Sequence, residues 1–187
     1  MVLYIKNMVC DRCIMVVKQQ LENSGFRVKE ITLGSATVLP EPDNDHLIGI
    51  SSSLKLYGFE LIDNEKDRMV QRIKDLIIQM VHYGDLTDAH VNFSTYISDS
   101  LNKDYSYLSR LFSDSEDTTI EKFIIQQKTE KVKELLEYGE FNINEIAWKM
   151  GYSSSAHLSA QFKSITGFTP SQFKASESGG RKPLDKI

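Results

Sequence analysis

Two stretches of this sequence repeat one another at a spacing of 50 residues. Phe93–Phe112 reads FSTYISDSLNKDYSYLSRLF and Ile143–Phe162 reads INEIAWKMGYSSSAHLSAQF, with Leu108 over Leu158, Ser109 over Ser159 and Phe112 over Phe162. Each is a short apolar helical run, a break, and a second helical run. The breaks hold Asn102 and Gly151, the residue types that best accept a left-handed backbone. The second unit has one more residue between break and leucine. Such a repeat confines this half of the chain to a helical domain built from two helix-turn-helix units.

The surroundings agree. Ile120, Phe123, Ile124, Val132, Leu135 and Leu136 give one long helix between the units, capped by Thr118 or Thr119 and stopped at Gly139. Thr169-Pro170-Ser171 opens a last short helix in the expected cap-then-proline order. Further breaks fall at 113–118, 139–142 and Gly167, and everything from residue 86 to about 175 reads as helix. Residues 66–83 form another helix, with a stripe of Met69 or Val70, Ile73, Ile77 and Met80 that suits a stalk, a dimer contact or plain core. The tail from Ser176, with Gly179-Gly180 and Pro183, reads as disordered.

The first 63 residues have a different period. Residues 2–9 alternate as a strand and residues 11–24 take helical spacing through Ile14, Val17 and Leu21, ending at Gly25. Val28–Leu33 and Ala36–Leu39 are two strands around Gly34-Ser35. Residues 44–56 are helical, and Phe59–Ile62 is a last strand. The order is β-α-β-β-α-β, the ferredoxin-like arrangement of an antiparallel sheet under two helices. The whole chain is therefore α+β: a ferredoxin-like domain at 1–63, a linker helix at 64–85, an all-α domain with two helix-turn-helix units at 86–175, and a tail at 176–187.

Composition narrows the function classes. At 41% hydrophobic and 26% charged residues the chain has ordinary globular usage, which argues against wholesale disorder. No apolar run approaches the roughly 20 residues of a membrane span, and the first residues lack the features of a signal peptide, so the expected location is the cytoplasm, with no membrane partner. Charge does not identify the partner: residues 1–64 carry 6 basic and 8 acidic side chains and residues 65–187 carry 16 and 18. No serine–histidine–acid set, phosphate loop or dinucleotide fingerprint is present, and His46, His82, His90 and His157 are scattered, so no enzyme is expected.

The stretch EIAWKMGYSSSAHLSAQFKSITGFTPSQFK holds Ile146-Ala147, Gly151-Tyr152, His157-Leu158-Ser159, Phe162-Lys163, Thr166-Gly167 and Thr169-Pro170-Ser171-Gln172-Phe173. Together with YLSRLF at Tyr107–Phe112, it resembles the C-terminal signature of AraC/XylS-type transcriptional regulators over residues 86–175. The resemblance implies a seven-helix DNA-binding domain whose recognition helices, at about 105–114 and 153–164, enter successive major-groove segments roughly 34 Å apart. Carried over by position, the first helix shows DNA Ser106, Ser109 and Arg110, and the second Ser155, Ala156, Ser159 and Ala160. Arg110 is the main base reader, because its fork can bond guanine O6 and N7 together. Lys103 and Lys163, with Lys122 and Lys174, form a thin phosphate-contact set. Tyr107, Leu108, Phe112, Trp148, Leu158 and Phe162 are expected to be core, with His157 a partly buried packing residue. Many family members carry Arg where this chain has Ala160, and Asp114, Glu116 and Asp117 follow Arg110. Both departures point to modest, salt-sensitive affinity for double-stranded DNA, aided by a homodimer. The transcription machinery is the further partner implied.

The segment NMVCDRC, Asn7–Cys13, falls where the first strand meets the first helix and contains the chain's two cysteines. Thiolates three apart at a helix N-terminus can face one ion, and the helix dipole lowers their pKa. With the β-α-β-β-α-β order, this resembles the heavy-metal-associated domains of copper chaperones and metal-transporting ATPases. Met8, Cys10 and Cys13 match their Gly-Met-x-Cys-x-x-Cys motif, and Gly58-Phe59 their late Gly-aromatic pair; Asn7 stands for the usual Gly. The resemblance implies Cu(I) or Zn(II) as cofactor at Cys10 and Cys13, with Met8 packed beneath the loop. Two sulfurs suffice for linear Cu(I) but not for four-coordinate zinc. The rival functions are a metal-binding carrier, or an interaction adaptor whose helical domain no longer reads DNA.

Overall fold

Alternation along the first strand decides where the N-terminal core sits. In β1 (Val2–Lys6), Leu3 and Ile5 are buried while Val2 is exposed and Tyr4 half-buried, as side chains pointing to opposite faces require. β3 (Ser35–Leu39) repeats this through Ala36 and Val38. Between them lie α1 (Asp11–Asn23) and β2 (Arg27–Thr32), and after them α2 (Asn44–Lys55) and β4 (Glu60–Leu61). The β-α-β-β-α-β order read from the sequence is present, and the sheet is antiparallel in the order β2-β3-β1-β4. Leu3, Ile5, Met8, Val17, Leu21, Ala36, Val38, Ile50 and Leu54 form its core. This computed structural model describes residues 1–87, 92–175 and 180–187, and the chain divides into two compact units, Met1–Asp75 and Leu76–Ile187.

Two backbone positions in the first unit are special. Asn7 has φ 70°, a conformation that Asn tolerates better than other non-glycine residues, and its amide donates to the Gly58 carbonyl at 2.8 Å. Gly34, φ +79°, turns β2 into β3 beside α3 (Glu65–Ile78). A Cβ there would overlap the Asp75 carboxylate, at 1.7 Å from Oδ2. Asp75 is itself buried and accepts a 2.8 Å bond from Gln71 Nε2. Burial pushes its pKa up to about 7, only partly countered by Gln71 and Lys74.

The second unit is organised around one long helix. α3 ends in a π-helical turn, Gln79–Tyr83, and then come α4 (Phe93–Leu101), α5 (Tyr105–Glu116), α6 (Ile120–Tyr138), α7 (Ile143–Lys149), α8 (Ser155–Thr166) and α9 (Pro170–Ala175). α6 starts at its Thr119 cap, which accepts from Lys122 N, and stops at Gly139, φ 70°. Ile120, Phe123, Ile124, Val132 and Leu136 bury its apolar face. The π-turn is tied to it by His82, whose Nε2 lies 2.9 Å from Gln127 Oε1; burial holds the His82 pKa down.

Three sequence expectations need correction. Tyr107 and Trp148, expected in the core, are 51% and 60% exposed, and His157 is exposed as well. Large side chains at helical spacing face solvent as readily as core when the helix is narrow and only one stripe is covered. α5 also runs through Ser113 to Glu116 before it breaks. At the C-terminus, residues 176–179 and the segment 88–91 lie outside the described residues. Residues 180–187 lie along α6: Arg181 bonds Glu134 at 2.7 Å, Lys182 N bonds Glu130 at 2.9 Å, and the Leu184 carbonyl accepts from Gln127.

Candidate nucleic-acid interface

The two turns between helices have one geometry. In the first, Asn102 has φ 49°, its N–H bonds the Asp99 carbonyl, and the Lys103 N–H bonds the Ser98 carbonyl. In the second, Gly151 has φ 66°, its N–H bonds the Trp148 carbonyl, and the Tyr152 N–H bonds the Ala147 carbonyl. These paired bonds satisfy the orphan carbonyls of α4 and α7 in the same way. Glycine is required more strictly at 151, because a Cβ would also stand 2.7 Å from the Leu86 carbonyl oxygen.

The helices that follow expose matching positions. On α5, Ser106 and Arg110 are exposed, Ser109 half-buried, and Leu108 and Phe112 buried. On α8, Ala156 and Ala160 are exposed, Ser155 and Ser159 half-buried, and Leu158 and Phe162 buried. The period of 50 thus holds for burial as well as for residue type. Lys103 and Lys163 are exposed beside these faces. Among the described residues, no hydrogen bond or ion pair occupies Arg110.

The chemistry of the two faces differs. Asp104 caps α5, accepting from Ser106 N and Tyr107 N, so a carboxylate stands at the start of that helix. Ser154 caps α8 and places no charge there. The first face has a cationic fork, and the second offers hydroxyls, methyls and the His157 ring. His157 sits edge-on to Tyr152 at 5.3 Å, with Nδ1 3.1 Å from Ser153 Oγ.

α5 is fixed to α6 directly and α8 through the turn that precedes it, by contacts the sequence reading missed. Tyr105, at the start of α5, donates to Glu121 at 2.6 Å, and Phe112 packs on Phe123 at 5.7 Å between centroids. Tyr152 donates to Gln161 of α8 at 2.8 Å. Lys128 Nζ donates to the Met150 carbonyl at 2.9 Å and lies 5.2 Å from the Tyr152 ring centroid. The signal was a lysine four residues after Ile124 and four before Val132, on an otherwise apolar stripe.

The cysteine pair is the other candidate site. Cys10 is the N-cap residue of α1, and its Sγ lies 3.4 Å from that of Cys13, both half-buried. Met8 is fully buried in the core cluster against which Cys13 packs. The helix end was expected to lower the thiol pKa; burial instead pushes the Cys13 thiol up. Among the described residues, no group of three or more His, Cys, Asp or Glu side chains could hold a metal. The donor set fits a two-sulfur ion and does not by itself complete a four-coordinate one.

Residues 97–176 match the sequence model of a family described as a helix-turn-helix domain. The Msm operon regulatory protein of Streptococcus mutans is 35% identical over 152 residues, 81% of this chain and 48% of that protein. An uncharacterised HTH-type transcriptional regulator in the cgkA 5' region of Pseudoalteromonas carrageenovora is 30% identical over 99 residues, 53% of this chain and 55% of that protein. The chain spans about half the length of the curated relatives it matches. The C-terminal domain of AraT, a response regulator from Geobacillus stearothermophilus, superposes with a TM-score of 0.51 at 24% identity, over 64% of this chain and 97% of that domain. No helix among the described residues is long and apolar enough to cross a membrane. Residues 97–176 are a helix-turn-helix domain, similar in sequence and fold to those of transcriptional regulators.

Proposed function

We propose that this protein is a sequence-specific DNA-binding transcriptional regulator of the AraC/XylS type, working in the cytoplasm and performing no catalysis. α5 and α8 enter successive major-groove segments of one duplex. Arg110 reads guanine, Ser106, Ser109, Ser155 and Ser159 add hydroxyl contacts, Ala156 and Ala160 lie against base edges, and Lys103 and Lys163 meet phosphate. The observation that carries this reading is the repeat of exposed and buried positions at a spacing of 50 on two helices with matching turns. The test is selection of bound fragments from a genomic duplex pool at moderate salt. The expected result is enrichment of sites with two short blocks about one helical turn, roughly 34 Å, apart. Salt-sensitive retention without enrichment contradicts it, and leaves the adaptor reading.

The four-stranded N-terminal unit, read as ferredoxin-like, serves as a sensing or dimerising module. The 3.4 Å approach of Cys10 and Cys13 favours a soft ion there, Cu(I) before Zn(II). Cu(I) competition with a chromogenic chelator tests it: tight binding lost in Cys10→Ser supports the site, and equal competition by wild type and Cys10→Ser removes it.

A further inference from the structure

Lys128, on α6, has partners in both helix-turn-helix units. Its ammonium donates to the carbonyl of Met150, the C-cap residue of α7, at 2.9 Å. It lies 5.2 Å from the centroid of Tyr152, in the turn leading into α8, and 5.7 Å from that of Phe93, the first residue of α4. Ring faces attract such a cation, more strongly where water is excluded, and burial lowers the Lys128 pKa. Tyr152 passes the constraint on to α8, bonding Gln161 and packing on His157.

One point charge thus touches the first helix of the first unit and the turn of the second. α5 is already fixed on α6 one to two turns earlier, at Glu121 and Phe123. We infer that Lys128 is a positioning residue that sets the placement of α8 relative to α5, and with it the separation at which the two DNA blocks are met together. The inference rests on the proposed DNA reading for its consequence, but not for its geometry. A uniform loss of stability would weaken every DNA site alike. Loss of this placement instead weakens binding only where both blocks must be met together, because the advantage of linked units depends on both being presented at the right separation.

The test uses the full chain with Cys10→Ser and Cys13→Ser, and spin labels at Asp114→Cys and Ser164→Cys, two exposed positions on α5 and α8. In this background the label–label distance distribution is expected to be narrow. Lys128→Met is expected to broaden it, and Lys128→Arg, which keeps charge and donors, to restore it. Lys128→Gln stands in if the Met variant does not fold by circular dichroism. On DNA, Lys128→Met is expected to lose about tenfold in affinity for two blocks at the preferred spacing, to tolerate altered spacings, and to bind a single block as the wild type does. An unchanged distance distribution and spacing profile in folded Lys128→Met overturns the inference. Failure of the wild type to select DNA overturns the DNA reading, while the distance measurement still decides the role of Lys128.

Discussion

The two helix-turn-helix units share a backbone and a core but not a surface. Leu108 and Leu158, and Phe112 and Phe162, are buried alike, and both turns use a left-handed residue closed by the same pair of bonds. The exposed faces diverge: Arg110 against Ala160, Asp104 at one cap against Ser154 at the other. Packing fixes the positions facing inward and leaves the outward ones free to change. The repeat therefore identifies the fold, and these departures from it lie on the exposed faces. In the proposed regulator, the first unit carries the base-specific contact and the second serves as the partner that fixes register.

The comparison breaks most sharply at the shared core. Phe112→Ala and Phe162→Ala should each cost about 3–5 kcal/mol in chemical denaturation. If one costs far more than the other, the units are not equivalent in packing. Asp75 extends the contrast to a buried polar position in the N-terminal unit. Its folded pKa of about 7 lies above the ordinary 3.8, so the fold favours the neutral carboxyl. The stability this represents is fully present below about pH 4, falls as pH rises toward 7, and is lost above it. Asp75→Asn should flatten that decline and gain a few kcal/mol over wild type at pH 8 relative to pH 4, seen in melts across pH. Parallel pH profiles for variant and wild type would remove the assignment.

Smaller effects separate the two turns and the two faces. Gly151→Ala should cost about 2 kcal/mol, from the left-handed backbone and the Leu86 carbonyl together. Asn102→Gly should stay within about 0.5 kcal/mol in the same denaturation assay, because glycine accepts that conformation freely. Arg110→Ala should weaken specific DNA binding by about 1–3 kcal/mol. Ser159→Ala, on the second unit, should change it by less than about 1 kcal/mol, since a hydroxyl that both donates and accepts discriminates bases poorly. Titration of one selected duplex with both variants checks this pair.

What the sequence disclosed follows the same division. Helix limits, caps and turns were legible because each depends on a few neighbouring residues: Thr119, Gly139, Gly151 and Pro170 stand where the reading put them. Contacts that join distant elements were not. Lys128 acquires its role only when α4, α6 and the α7–α8 turn meet, and the one local sign is a lysine on an apolar stripe. Trp148 and Tyr107 were misread because helical spacing says which side chains share a face, not whether anything covers it. At Cys13 two effects compete, helix end against burial, and only the folded environment shows that burial wins. Gly180 and Pro183 suggested a loose tail, yet Arg181 and Lys182 find carboxylates on α6 through contacts about 50 residues apart in sequence.

The most direct measurement is a base-by-base selection on randomised duplexes with wild type and Arg110→Ala in parallel. The wild type is expected to enrich two blocks about one helical turn apart, unequal in strength, with a guanine in the stronger one. Arg110→Ala should erase the preference at that guanine and leave the weaker block as it was. Two equally specified blocks, or a guanine preference that survives Arg110→Ala, would contradict the division of work between the two units.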